Sequence, residues 1–191
     1  SVLYEDVLSF FAQTKVAYNP TLVVTYGGLA GDPYWRLNTD VWTHPILSRH
    51  VPPHILQPAN VRRTKAPEED FVDQASAREA KKLLDRGVLV SIGAHGQEEG
   101  MGSHWELWSF VRGGMTPLEA LKTGTVNPAR HLGFATDLGS IEAGKLADMV
   151  ILSASPLENI RNSDKIESVM QNGRLFDAVT MNEVVTGGRK R

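Results

Sequence analysis

"VLVSIGAHG", residues 88–96, is the stretch that decides the fold. Val88, Leu89, Val90 and Ile92 make a near-continuous apolar run, the pattern of a strand buried on both faces. Immediately before it, "APEEDFVDQASAREAKKLLDRG" (66–87) reads as a helix. Pro67 suits its first turn, acids gather at its start, bases lie near its end, and Gly87 closes it. A helix feeding a buried strand points to a parallel sheet or barrel. A second strand is expected at "KVAYNPTLVVTY" (15–26), β-branched and aromatic, with Pro20 marking a bend or an unpaired position.

Working outward, "YEDVLSFFAQT" (4–14) fits one short amphipathic helix. Residues 27–64 hold Gly27, Gly28, Gly31, Pro33, Pro45, Pro52, Pro53 and Pro58, and read as a long connection without regular structure. Beyond the 88–94 strand, capping boxes are expected at Ser103–Glu106 and Thr116–Glu119, and an N-cap at Asn127 before Pro128. From Leu138 the period becomes strand-like, through 139–144, 148–154, 165–173 and 174–180. Asn172–Gly173 is a hairpin turn between the last two. No internal repeat of fixed period is present.

Composition narrows the function classes. The 191 residues are 41% hydrophobic and 22% charged, ordinary values for a globular chain of one domain or slightly more. With 20 basic against 22 acidic residues, nothing in the charge calls for a nucleic-acid or membrane partner. The terminal "GGRKR" is expected to be a solvated tail. There is no cysteine, which removes disulfides, thiolate zinc sites and a cysteine nucleophile together, without fixing a compartment. No G-x-S-x-G elbow supports serine-hydrolase chemistry. "GLAGDP" (28–33) lacks a lysine and is expected to lead into no helix, so it is not a phosphate loop.

Four segments together resemble a known family: "GVLVSIGAHG" (87–96), "HWELWSFVRGGMTPLEALKTGTVNPARHLGF" (104–134), "DLGSIEAGKLADMVILSASPLENI" (137–160) and "VMQNGRLF" (169–176). They look like the C-terminal part of the amidohydrolase superfamily, most like its imidazolonepropionase and prolidase-like branch, over residues 4 to 176. "GSIEAGKLADMVIL" is the most specific of them, with a turn at Gly144–Lys145 and Asp148 free to bond a nearby backbone. The resemblance implies an α/β fold: the last units of a (β/α)₈ TIM barrel over residues 1–135, then strands of a composite β-sandwich over 136–191. It also implies a divalent metal, zinc by preference, that activates water against a C–N bond in the intact enzyme. Barrel active sites sit at the C-terminal strand ends, where the 95–104 loop falls.

Two departures stand beside this. The family's early His-x-His metal motif has no counterpart here, and its late acid falls on His95. His95 is accordingly a candidate catalytic base or metal ligand, against the alternative of a loop histidine bonded to backbone. His104 is a second catalytic candidate, expected to be held neutral at a helix start. Glu106 has a sufficient local reason in its capping box. Gln97 and Tyr26 are candidate substrate contacts; Asn19 and Trp35 could line the same pocket, while Tyr18 and Thr21 fit barrel packing better. Glu98 and Glu99 are expected in solvent, and His131 in a structural helix. His50 and His54 have metal-pair spacing, but Pro52 and Pro53 between them argue against one helix.

Two functions follow as expectations. In the first, the chain is the C-terminal segment of a metal-dependent amidohydrolase acting on a small amide or peptide-like substrate, inactive as this fragment; its start at Ser1 agrees with a processed or excised piece. In the second, it is a complete non-catalytic binding or assembly module on the same scaffold. Either way, open sheet edges predict self-association.

Overall fold

The computed structural model describes residues 2–56, 61 and 63–184. Pro58 and the basic tail lie outside the described residues. Helices dominate the first two-thirds of the chain: α1 (Glu5–Thr14), α2 (Gly31–Asn38), α3 (Leu47–His50), α4 (Pro53–Leu56), α5 (Asp73–Asp85), α6 (Gly102–Arg112), α7 (Pro117–Thr123) and α8 (Val126–His131). A three-stranded antiparallel sheet follows, in the order β1 (Met149–Leu152), β2 (Ile166–Gln171), β3 (Arg174–Asp177).

The core forms around α6. Trp105, Leu107, Trp108 and Phe110 are buried along it, and they pack with Leu22, Val23, Trp35, Val41, Ala77, Leu83, Val88 and Val90. Helix α5 crosses α6 so closely that a Cβ added at Gly113 would lie 2.3 Å from the Ala77 Cβ. A buried polar network clamps that crossing. Arg112 donates both Nη1 bonds to Asp73, the Ser109 hydroxyl donates to Asp73 Oδ2 at 2.9 Å, and Trp35 Nε1 donates to Ser109 at 2.7 Å. The Arg112 guanidinium also lies 3.5 Å from the Tyr34 ring centroid, the geometry of a cation–π contact.

Several expectations need correction. The strand foreseen at 15–26 shrinks to a single parallel bridge, Tyr18 to Val90. Pro20 brings no N–H, Thr21 turns left-handed (φ 50°), and Leu22–Val24 curls into a 3₁₀ turn. The strand at 88–94 likewise keeps only that bridge; on its other edge Asn127 Nδ2 donates to Val90 O and Ile92 N to Thr123 O. Residues 27–64 are far from structureless, since α2, α3 and α4 lie there and "GLAGDP" runs straight into α2. At 66–87 only the 3₁₀ turn Glu68–Asp70 and then α5 are helical.

The caps divide. Thr116–Glu119 forms both bonds of a capping box. The box at Ser103–Glu106 does not form, because α6 begins at Gly102 and Glu106 faces inward. Asn127 is not a cap either: α8 is preceded by Thr125, and the Asn127 side chain serves Val90. In the tail, 139–144 is turns rather than strand, with Gly139 and Gly144 both at φ 93°. The hairpin at Asn172–Gly173 is present with both residues at positive φ, as a tight primed turn requires. Asp148 Oδ1 accepts from Asn172 N at 2.6 Å, the backbone bond expected of it.

Candidate functional site

The bridge between Tyr18 and Val90 positions everything at this end of the molecule. Tyr18 N donates to Leu89 O at 2.9 Å and Ser91 N to Tyr18 O at 3.0 Å, the slanted pair of a parallel ladder. Both chains then leave the bridge side by side. Asn19 Nδ2 donates to Ile92 O at 2.9 Å, and Thr21 Oγ1 donates to Asn19 Oδ1 at 3.1 Å. These two side chains lie so tightly over Gly93 that a Cβ there would sit 2.0 Å from Asn19 Oδ1. Only glycine fits.

Two residues later His95 is itself left-handed (φ 56°) and exposed. Its Nδ1 lies 3.3 Å from Gln97 Oε1. An amide oxygen facing Nδ1 favours the proton there, leaving the Nε2 lone pair directed away. Gln97 and Glu98 are held from α2: Arg36 Nη2 donates to Gln97 O at 2.7 Å, and Arg36 Nη1 pairs with Glu98 at 2.9 Å. Glu98 is therefore buried and paired, not in solvent as expected; Glu99 is exposed. Burial raises the Asp32 pKa above the ordinary carboxylate value, against the pull of neighbouring Arg36.

Beneath the turn lies Glu106, with no exposed surface. Its Oε1 accepts from Val23 N at 2.8 Å, while Oε2 has no hydrogen-bond partner among the described residues. Burial pushes this carboxyl up to about 8, opposed by the backbone amides of Val23, Gly93 and Leu22. The direction favours the protonated, uncharged form near neutral pH.

His104 belongs to a different place. It is half-buried, and its Nδ1 shares a hydrogen bond with the Ser163 hydroxyl at 3.0 Å, while that hydroxyl accepts from Trp108 Nε1 at 2.9 Å. Burial lowers its pKa, Asp164 opposes that, and His44 adds to it. The direction is the one expected from the helix start, but desolvation is the leading cause. His44 was missed in the sequence; it precedes a proline in the region read as loop, and only the fold brings it near His104 and Asp164.

The other candidates scatter. Tyr26 is 92% exposed and Trp35 is buried against Ser109. Tyr18 packs edge-on against Phe11. His50 ends α3 and donates from Nε2 to Val179 O at 2.7 Å; His54 is exposed on α4, and His131 is exposed at the end of α8. Among the described residues, no group of three or more His, Asp or Glu comes together that could hold a metal ion. A metal centre needs three or four converging donors, and His95 offers one, so these residues alone do not fit such a group.

The amidohydrolase family model matches residues 48–176. The chain belongs to the amidohydrolase family. Members typically use a divalent metal. Among curated proteins, this amidohydrolase-family chain is similar to the imidazolonepropionase of Thermoplasma acidophilum, 38% identical over 85 residues that cover 43% of this chain and 21% of that protein. It is also similar to the ochratoxinase of Aspergillus niger, 33% identical over 97 residues, 49% of this chain and 20% of that one. The chain thus spans about a fifth of the length of these two relatives. Among solved structures it resembles a Xaa-Pro dipeptidase with methionine bound in the active site, with a TM-score of 0.61 and 21% identity, covering 92% of this chain and 38% of that one. At that identity the likeness is one of fold, and it agrees with the mixed α/β architecture. No helix among the described residues is long and apolar enough to cross a membrane.

Proposed function

We propose that this chain supplies one strand-end portion of a hydrolytic site for C–N bonds in small amide or peptide-like substrates. The observation that carries the proposal is the parallel bridge of Tyr18 with Val90, which opens through Gly93 onto His95. In this reading residues 1–135 are the closing units of a TIM barrel, and 136–191 are strands of a composite β-sandwich. The family membership and the fold of its solved neighbours support both assignments. The reading of a non-catalytic module gains nothing from these relatives, which include an imidazolonepropionase and an ochratoxinase.

His95 has the chemistry of a general base: an exposed imidazole whose Nε2 lone pair faces outward when Gln97 holds the proton on Nδ1. Gln97 orients it, and Glu106 keeps the turn beneath it anchored without adding charge. The donors among the described residues do not form a metal site by themselves. The remaining ligands would come from outside these residues, and the chain by itself is proposed to be inactive. The sheet supplies the argument for self-association. Residues Val150 and Val169 face each other across β1 and β2 and are both exposed, and β1 is an edge strand.

An assay tests the inactivity directly. With zinc added, the chain is offered dipeptides and N-acyl amino acids, and liberated amine is measured. No turnover above buffer is expected; robust turnover lost in His95→Ala would refute inactivity while supporting the role of His95.

A further inference from the structure

The least conspicuous feature of the site is the side chain that reaches it from α2. Arg36 is only 12% exposed, and its guanidinium makes two contacts on consecutive loop residues. One Nη2 bond goes to the Gln97 carbonyl at 2.7 Å, and Nη1 meets the Glu98 carboxylate at 2.9 Å. The planar group also lies 5.8 Å from the Trp105 ring centroid, at the first turn of α6. On the other side, Arg36 Nε is 3.9 Å from Asp32 Oδ2, one helical turn earlier. A fork with several fixed donors can hold a backbone carbonyl and a carboxylate at once; an ammonium presents a single point of charge on a flexible stem.

We propose that Arg36 is the positioning residue of the His95 loop, fixing the backbone at Gln97 so that the Gln97 amide oxygen faces His95 Nδ1 and the imidazole keeps its Nε2 lone pair outward. The Arg36 guanidinium bonds Gln97 and Glu98, and it acts on His95 through Gln97. The loop needs such an anchor because its own chain is permissive. Gly96 and Gly100 both adopt positive φ, and His95 itself sits in the left-handed region that most residues avoid. Other fixed points close to it are the Gln97 N bond to Ala94 O, the Glu98 carbonyl, which accepts from Met101 and Gly102, and the hydrogen bond from the Gln97 side chain to the Asp32 carboxylate, which leaves the Gln97 amide oxygen for His95. The Asp32 carboxylate keeps the guanidinium from swinging away. This deepens the proposed function and rests on His95 being the working group, but its test does not require catalysis.

The experiment is long-range ¹H–¹⁵N NMR of the His95 ring, recorded on the full chain at a pH where the imidazole is neutral. The variants are Arg36→Lys and Gln97→Ala, with amide exchange followed in parallel. In the wild-type protein His95 is expected to carry its proton mainly on Nδ1. In Arg36→Lys the ring signals should move to the tautomer mixture of free histidine, and the Gln97 amide should exchange at least tenfold faster. Amides of Val150 and Val169 in the sheet should be unchanged. Gln97→Ala should reproduce the tautomer change with Arg36 intact, which keeps the test decisive if Arg36→Lys fails to fold. A free-histidine mixture in the wild type, or an unmoved tautomer in either folded variant, would overturn the proposal. A tautomer response as described, alongside hydrolysis by the intact enzyme that survives His95→Ala, would leave the positioning in place and remove the functional reading instead.

Discussion

Glu106 and His104 stand two residues apart on α6 yet make opposite demands on pH. The Glu106 carboxyl moves from 4.5 in the unfolded chain to about 8 in the folded one. A raised acid is stabilising where it stays protonated in both states, so its contribution is greatest below pH 4.5 and is lost as pH rises toward 8. The loss is on the order of a few kcal/mol. Urea titrations at pH 5, 7 and 9 should show it, and Glu106→Gln, which mimics the neutral form, should flatten that slope. An equal slope in the variant would mean that another group titrates. His104 and His44 are both lowered, first by burial, so the unfolded chain takes up protons more readily than the folded one. Their contribution is full above 6.5 and falls away as pH drops below it. In His104→Gln the acid limb of the stability curve should be shallower than in the wild type. Neither residue's setting was legible in the sequence. Local spacing offered Glu106 a cap, and tertiary packing turned it inward; the neighbours of His104 come from 44 and 164, distant in sequence.

Elements bear out what is local and depart where partners are remote. The Thr116–Glu119 box and the Asn172–Gly173 turn depend only on nearby backbone, and both form. Thr116→Ala should cost about 1 kcal/mol in chemical denaturation. The strands at 15–26 and 88–94 depend on neighbouring strands for their length, and with one bridge between them they shorten. The α5–α6 crossing was likewise invisible, because Ala77 and Gly113 are ordinary residues until the helices meet. Gly113→Ala would force a methyl into Ala77 and should destabilise by about 1–3 kcal/mol. Arg112→Ala should cost more, about 3–5 kcal/mol, since it leaves the fully buried Asp73 carboxylate without its counter-charge. A smaller loss than for Gly113→Ala would mean that the Ser109 hydroxyl alone suffices for Asp73.

On the scale of the whole molecule, burial is uneven. The hydrophobic core runs from Leu8 to Ile160, and no residue of β1, β2 or β3 belongs to it. Such a sheet, half-covered and with β1 at its edge, favours association over solitude. Sedimentation velocity should show a species larger than the 21.0 kDa monomer, increasing with concentration; a single monomeric boundary at every concentration would remove the proposed self-association. The family was legible in the motifs because they pack and turn locally. Of the proposed site, His95 and Gln97 were legible at a strand end; Arg36 and Glu106, from α2 and α6, come to that turn only through the fold. The most direct measurement is a nuclear Overhauser spectrum of the backbone around Tyr18 and Val90 in solution. Parallel pairing predicts Hα-to-amide contacts that advance in the same direction along both chains. Close Hα–Hα contacts across the pair, marking antiparallel strands, would contradict it.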